Sequence, residues 1–162
     1  PGLTALFYIK SGIARINEID FHVNVEQQID NLRMSPYELN NILGNLINNA
    51  FDAVMPLENE QRIVNVNIGA DDDNYIFKIS NYGYIDDNSK QNLFRKGFST
   101  KTGEHSGLGL HISNSLVKKY GGHMEIENSD NHMVDFSVCL PIVREKGELH
   151  EFAVQKTGTF TG

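Results

Sequence analysis

Hydrophobic and polar positions follow two different periods along the chain, and these periods predict its helices and strands. Apolar residues recur every three to four positions in three segments, which predicts helices over residues 3–16, 35–55 and 107–120. Alternating or short apolar runs predict five strands, and turn residues join the second to the third and the fourth to the fifth as hairpins. The predicted strands cover residues 20–25, 62–70, 74–80, 123–128 and 132–141. This order of elements predicts an α+β fold with helices on one face of a mostly antiparallel sheet.

The middle helix has clear start and stop signals. Ser35 is predicted to be its N-cap, Pro36 its first helical residue, and Glu38 follows three residues after the cap. This is a capping box combined with the proline that helix N-termini favour. Because Pro56 cannot continue a helix, the helix is predicted to end near Met55.

Two stripes of side chains run along this helix. The apolar stripe predicts the face that packs in the core, and it comprises Leu39, Ile42, Leu43, Leu46, Ile47, Ala50, Ala53 and Val54. A polar stripe runs beside it with the same spacing and comprises Glu38, Asn41, Asn45, Asn49 and Asp52. Five of the ten residues from 40 to 49 are asparagine, although asparagine is a mediocre helix former. The amide oxygens of Asn45 and Asn49 suit a magnesium ion that phosphates already neutralise, whereas the alternative is an ordinary solvated face.

The stretch before the third predicted helix combines glycines with basic residues. Glycines let the backbone approach a bound group, and a helix N-terminus offers unpaired N–H groups, so this stretch predicts an anion site. The alternative is a mobile loop with solvated lysines. A Walker phosphate loop, a Rossmann site and a serine-hydrolase elbow are excluded, because their patterns are absent. The residues concerned are Arg95, Lys96, Lys101, Gly103, Gly107 and Gly109.

The composition is that of one globular domain. The 162 residues are 40% hydrophobic and 22% charged, and their net charge of -7 predicts no nucleic-acid partner. Cys139 is the only cysteine, which excludes an internal disulfide and a cysteine-based zinc site and favours a reducing compartment. No apolar run reaches the roughly 18 residues that cross a bilayer. The opening PGLTALFYIKSGIARI reads like the middle of a protein, so we expect a fragment of a longer chain.

The asparagine-rich helix and the glycine-rich stretch, in this order, resemble the ATP-binding catalytic domain of sensor histidine kinases, in the GHKL superfamily. ELNNILGNLINNAFDA resembles the N box of that family, NLFRKGFSTK its F box, and GEHSGLGLHISNSLVKKYGG its second glycine box and following helix. FSVCLP resembles the final strand, so the resemblance covers about residues 20–142. The opening residues resemble the end of the dimerisation helix in citrate- and dicarboxylate-sensing kinases.

This resemblance implies a fold and three parts of the chain. The fold is a two-layer α/β sandwich of the GHKL ATPase type, with a mixed, mostly antiparallel sheet. Residues 1–18 are the expected end of the dimerisation helix and linker, residues 19–142 the ATP-binding catalytic domain, and residues 143–162 a C-terminal tail.

The resemblance also implies ATP and Mg²⁺ as ligands, with roles for the residues at matching positions. Asn49 would bind magnesium, and Asn45 would assist beside the phosphates. Lys101 would meet the β- or γ-phosphate, with Arg95 or Lys96 as helpers, so that Asn45 and Lys101 are the candidate catalytic residues. The backbone at the helix N-terminus would hold phosphates through Gly107, Leu108 and Gly109. Leu43 and Ile47 would pack beneath the pocket, and its walls would include Ile85, Phe98 and Leu110.

One box departs from the family pattern. The first glycine box of the family reads D-x-G-x-G, and its aspartate accepts a hydrogen bond from the adenine amino group. Here the run is NYGYI, in which Asn81 replaces the aspartate, Gly83 is kept, and Ile85 replaces the second glycine. The Asn81 amide oxygen can still accept this bond, but a neutral acceptor is weaker than a carboxylate. We therefore expect weaker ATP binding than in typical members.

Asn45 bears on the reaction. Hydrolytic relatives place a glutamate four residues before the magnesium asparagine, where it activates water as a general base. Asn45 occupies this position and cannot accept a proton at neutral pH, so transfer of the γ-phosphoryl to a protein histidine is favoured over ATP hydrolysis. The alternative is a degenerate nucleotide-binding or interaction module without kinase activity, which the altered NYGYI box favours.

The resemblance finally implies partners and a location. None of the six histidines lies in the sequence context of a phosphoacceptor, so the acceptor is expected on a dimerisation domain outside this chain. The expected partners are ATP, that dimerisation domain and a response regulator. The full-length protein is expected to be a homodimer and a membrane-anchored sensor, with this domain in the cytosol.

Overall fold

The computed structural model describes residues 2–95 and 108–144, in which helices cover one face of a five-stranded sheet. The helices are α1 (Gly2–Ile16), α2 (Pro36–Val54), α3 (Asp87–Asn92) and α4 (Leu108–Lys119). The strands are β1 (Asp20–Val25), β2 (Ile63–Ala70), β3 (Asn74–Tyr82), β4 (His123–Ser129) and β5 (Met133–Pro141). Short 3-10 turns, Asn59–Gln61 and Asp130–His132, precede β2 and β5. The predicted α+β class is confirmed.

The sheet is mixed, and its strand order is β1-β2-β3-β5-β4. The β2–β3 and β4–β5 pairs are antiparallel hairpins, as predicted, and β3 also pairs antiparallel with β5. Among the strands of the described ranges, only the β1–β2 pair is parallel. Because a parallel pair needs a long crossover connection, α2 lies between these two strands in the chain and packs on the sheet.

The core lies between the sheet and the helices. Alternate residues of a strand point to opposite faces, so one face of the sheet can be apolar while the other meets water. On the helix side, Val66 of β2 pairs with Ile79 of β3, and Ile68 pairs with Phe77. All four side chains are at most 1% exposed.

Helix α2 starts as the sequence predicts. The Ser35 side chain accepts a hydrogen bond from the Glu38 N–H at 3.1 Å, and the Glu38 carboxylate accepts one from the Ser35 N–H at 3.3 Å. The predicted apolar stripe is buried except for Ala53, which is exposed in the last turn. Phe51 is buried instead, and its ring meets Phe21 of β1 edge-on at 5.2 Å between centroids. The prediction for Ala53 was wrong: at the end of α2, Phe51 outside the predicted stripe is buried and Ala53 is exposed.

A third row of residues on α2 holds α1. Lys10 Nζ of α1 donates to Asn48 Oδ1 at 2.5 Å, and a Cβ added at Gly44 would lie 3.6 Å from Leu6 Cδ1. Asn40 lies in the same row, under the first turn of α1. The Lys10 side chain is buried, and this burial lowers the pKa of its ammonium. Two of the five asparagines in the 40–49 stretch therefore serve helix packing.

Two differences from the predicted elements affect the site. β3 continues to Tyr82, two residues beyond its predicted end, so Asn81 pairs with Val64 in the sheet. Helix α3 occupies a stretch that showed no helical pattern, and it begins where the Asp86 side chain accepts from the Ser89 N–H at 2.7 Å. A helix of six residues is too short for hydrophobic periodicity to reveal.

The β2–β3 turn predicts a pH-dependent contribution to stability. The Asp71 carboxylate accepts hydrogen bonds from the Asp73 N–H at 2.9 Å and the Asn74 N–H at 2.7 Å, and these bonds lower its pKa below the ordinary 3.8. A lowered folded-state pKa stabilises the fold above the unfolded-state pKa, and this contribution is lost as pH falls through the folded-state pKa. The Asp71→Asn variant should therefore be less stable than wild type near neutral pH, with the difference shrinking below about pH 4.

Urea unfolding followed between about pH 7 and pH 3 measures this difference. Asp72→Asn is the matched control, because its carboxylate accepts neither of the two turn bonds. A stability difference for Asp71→Asn that stays constant over this pH range would contradict the prediction.

Candidate functional site

The polar stripe of α2 borders the site. Asn45 is exposed and Asn49 is half-buried, one turn further along the same side of the helix. The two side chains lie beside the core rather than in it, because Ile42 and Leu46 on the neighbouring face of α2 are at most 2% exposed. Leu43 and Ile47, on the opposite side of the helix from the stripe, are both 0% exposed. The prediction that Leu43 and Ile47 pack in the core is confirmed.

The N-terminus of α4 lies next to this stripe. A Cβ added at Gly109 would be 3.9 Å from Asn45 Nδ2, so the first turn of α4 faces the amide of Asn45. Leu110, Ser113 and Val117 are buried on the same and the adjoining face of α4 and hold the helix on the core. The first N–H groups of a helix have no partners within the helix and attract anions. The two segments that the sequence singled out therefore come together.

Asn81 and Gly83 lie at the end of β3. Asn81 shares a strand face with the buried Tyr75, Phe77 and Ile79, which is the face that the helices cover. Its Nδ2 donates to the Tyr82 carbonyl at 3.1 Å, which leaves Oδ1 of the same amide as an acceptor.

The backbone turns immediately after Asn81. Gly83 adopts a φ of 149°, which side chains other than glycine rarely tolerate, and its N–H donates to the His132 carbonyl at 2.8 Å. A Cβ at this position would also lie 3.4 Å from Asn81 Nδ2. The glycine that the NYGYI run keeps is therefore required by the backbone.

Asn128 of β4 is a site residue that the sequence did not reveal. The Ile85 N–H donates to Asn128 Oδ1 at 3.0 Å, and Asn128 Nδ2 donates to the Ile85 carbonyl at 2.9 Å. This pair of bonds fixes the chain at the last residue of the first glycine box, although the two residues are 43 positions apart. A lone asparagine in a strand carries no signal for such a distant contact.

Several predicted site residues lie outside the described residues: Lys96, Phe98, Lys101, Gly103 and Gly107. Arg95 is described and exposed, and its Nη1 donates to Asn92 Oδ1 at 2.8 Å within its own turn. Leu108 is the first residue of α4, as the expected helix N-terminus requires.

Glu38 belongs to the predicted polar stripe but serves as a cap and a tie. Its Oε1 accepts from the Tyr120 hydroxyl at 2.8 Å as well as from the Ser35 N–H. The hydrogen bond from Tyr120 is the main cause that lowers the pKa of Glu38. The carboxylate is thus held in its charged form at the start of α2, away from Asn49, which lies further along the same helix.

A separate cleft of about 480 Å³ lies at the other end of α4. Its lining includes Arg33, Lys119 and Arg144 over a floor that contains Met34 and Leu140. No predicted site residue lines it. Within the described ranges, no helix is long and apolar enough to span a membrane.

Comparison with known proteins gives the family. The sequence model of the GHKL domain matches residues 34–141, which run from just before α2 to the end of β5. The chain belongs to the GHKL family. Membership implies ATP as the nucleotide of this domain, and it confirms the family that the N box and the second glycine box indicated.

The GHKL domain is similar to parts of longer sensor kinases. A probable C4-dicarboxylate sensor kinase of Halalkalibacterium halodurans is 30% identical over 134 residues, which cover 80% of this chain and 25% of that protein. The sensor histidine kinase DpiB of Escherichia coli is 30% identical over 107 residues, covering 64% of this chain and 19% of DpiB. The chain thus spans about a quarter or less of the length of these two relatives.

Solved structures share the fold of this GHKL domain. The nucleotide-free catalytic domain of the histidine kinase ThkA superposes with a TM-score of 0.73 at 20% identity, covering 88% of this chain and 93% of that one. ThkA in complex with its response regulator TrrA gives the same TM-score at 22% identity, covering 90% of this chain and 40% of that one. The predicted GHKL-type sandwich is confirmed.

Proposed function

We propose that this chain is the catalytic domain of a sensor histidine kinase, which transfers the γ-phosphoryl group of ATP to a histidine on a dimerisation domain outside the chain. One observation carries the proposal: the exposed amide of Asn45 lies beside Gly109, in the first turn of α4. This contact joins the N box to the second glycine box, which are 64 residues apart in sequence (45 to 109).

The described residues fit a nucleotide with a bound metal. Asn49 would hold Mg²⁺, since an amide oxygen is a hard ligand that adds no charge to a site already occupied by phosphates. When bound, the ion neutralises phosphate charge during transfer. Asn45 lies beside the first turn of α4. The N–H groups of Leu108 and Gly109 in this turn would hold phosphate oxygens. Among the described residues no cluster of three or more His, Cys, Asp and Glu could hold a metal ion.

The opposite end of the nucleotide meets β3. Asn81 Oδ1 accepts from the adenine amino group, because its own Nδ2 is already committed to the Tyr82 carbonyl. Gly83 lets the backbone turn away and leaves room for the base. A neutral acceptor gives weaker binding than the usual aspartate.

Two further parts of the proposal depend on the sequence resemblance. By this resemblance, Lys101 would contact the β- or γ-phosphate as the second catalytic residue, and the backbone of Gly107 would contribute to the phosphate site. The reaction is transfer rather than hydrolysis, because Asn45 cannot act as a general base toward water.

The proposal includes the rest of a sensor kinase. Residues 1–18 are the end of the dimerisation helix, residues 19–142 the catalytic domain and residues 143–162 a tail. The whole protein is a membrane-anchored homodimer, and this domain lies in the cytosol. The phosphorylated histidine, on the dimerisation domain, is the phosphoryl donor to a response regulator. The similarity to dicarboxylate and citrate sensor kinases supports these partners.

Titration of the chain with ATP and MgCl₂ tests nucleotide binding, and incubation with its dimerisation helices and labelled ATP tests transfer. We expect weak but measurable heat, acid-labile label on the helices and negligible phosphate release by the chain alone. Absence of heat at millimolar nucleotide would favour a degenerate module. Steady phosphate release would indicate an ATPase.

A further inference from the structure

One hydrogen bond ties the far end of α4 to the start of α2. The Tyr120 hydroxyl, just after α4, donates to Glu38 Oε1 at 2.8 Å, and the two residues are 82 positions apart. The same oxygen completes the capping box through the Ser35 N–H. The capping box therefore fixes the Glu38 side chain on α2, and Tyr120 donates to a carboxylate that is already held in place.

The opposite end of α4 meets the same helix at Asn45. Tyr120 contacts α2 at Glu38 and Gly109 contacts it at Asn45, so α4 runs antiparallel to α2 with one contact near each end. The 12 residues of α4 span about 18 Å, and a helix of this length moves as a rigid rod. A shift of its C-terminal end is therefore passed to its N-terminal end.

Between these two ends α4 makes further contacts, among them one between His111 Nδ1 and the Phe94 carbonyl at 3.2 Å. They include the buried side chains of Leu110 and Val117, and apolar packing has no directional preference. A hydrogen bond, in contrast, is defined to within a few tenths of an ångström. The Tyr120–Glu38 bond is a directional contact of this kind between α4 and α2.

We propose that Tyr120 and Glu38 are positioning residues for the nucleotide: by fixing α4 along α2, they hold the N–H groups at Gly109 beside Asn45, where the phosphates bind. This inference rests on the proposed function for its ligand. Neither residue touches the nucleotide, so their effect is confined to the phosphate end, while the adenine end at Asn81 is independent of α4.

The Tyr120→Phe variant of the full chain tests the proposal. It keeps the ring and removes only the hydroxyl. We expect the Kd for Mg-ATP to rise roughly three- to tenfold, which corresponds to part of the free energy of one hydrogen bond to a charged acceptor. The Kd for adenosine, which lacks phosphates, should not change. Glu38→Gln retains an acceptor for both bonds and should stay closer to wild type than Tyr120→Phe.

Tyr37→Phe is the matched control, since Tyr37 precedes Glu38 on α2 and is 75% exposed. It should leave both dissociation constants unchanged. If Tyr120→Phe lowers the melting temperature but weakens ATP and adenosine equally, or weakens neither, the tie is merely structural and the proposal is overturned.

A measurement without nucleotide separates this inference from the proposed function. In the NMR spectrum, Tyr120→Phe should shift the backbone amide signal of Gly109, whereas Tyr37→Phe should leave it in place. An unmoved Gly109 signal overturns the positioning role even if ATP binds. A wild-type chain that binds neither ATP nor adenosine overturns the proposed function, while the Gly109 signal still decides whether the tie positions α4.

Discussion

Replacing Asn49 with alanine is expected to weaken Mg-ATP binding by roughly a hundredfold or more, and to abolish label transfer to the dimerisation helices. Losing a residue that merely supports a metal ligand costs 10- to 100-fold in affinity, so losing the proposed ligand itself should cost at least about the upper value. No other asparagine of the stripe can replace it, because Asn45 lies one turn away beside Gly109. Isothermal titration in the presence of MgCl₂ measures the loss.

Asn41→Ala is the matched control for this variant. Asn41 lies in the same stripe, is exposed, and precedes Asn49 by eight residues on α2. Its replacement should change the Kd for Mg-ATP by less than about twofold, as expected for a surface substitution remote from the ligand. Equal losses for the two variants would point to a general effect on α2. An unchanged Kd for Asn49→Ala would remove Asn49 from the metal site.

The features that the sequence predicted well are local ones. The start of α2 depends on residues within four positions, and both reciprocal bonds of the Ser35–Glu38 capping box are present. The core face of α2 followed from helical spacing, because burial of an apolar stripe is required whatever the partner is. Ala53 is the exception: in the last turn of α2, Phe51 is buried against Phe21 of β1 while Ala53 is exposed.

The features that it could not predict depend on contacts between distant segments. Asn40 and Asn48 belong to the same asparagine-rich stretch as Asn45 and Asn49, yet they face α1. Only the position of α1 distinguishes these two rows, and a pattern within α2 contains no information on it.

Arg62 is a further example of a role that spacing cannot reveal. Its guanidinium donates to the carbonyls of Asn17, Met55 and Leu57, and thereby joins the ends of α1 and α2. In the sequence it is only the first residue of a predicted strand. Similarly, the insertion of β5 between β3 and β4 follows from packing of the whole sheet rather than from any one strand.

The largest expected effect on stability comes from Gly122, which ends α4 together with Gly121. The Gly122 N–H donates to the Val117 carbonyl at 3.0 Å and the Gly121 N–H to the Lys118 carbonyl at 3.0 Å, and Gly121 has a φ of 77°. These are the two bonds of a Schellman motif, which terminates helices at a left-handed glycine. At Gly122 the constraint is steric, because the chain passes so close to β5 that a side chain has no room.

Gly122→Ala should destabilise the domain by about 3 kcal/mol or more, because overpacking against a fixed backbone cannot be relieved by a change of rotamer. The added Cβ would lie 2.2 Å from the carbonyl oxygen of Cys139 and 2.9 Å from Leu140 Cδ2, so the β4–β5 pairing must shift. For a chain of this size, thermal unfolding should show a melting temperature lower by roughly 6–12 °C. Gly12→Ala is the matched control: nothing lies within 4 Å of its Cβ position in α1, and removing a helical glycine should stabilise by about 0.5–1 kcal/mol. If both variants raise the melting temperature, the close approach of Gly122 to β5 is absent.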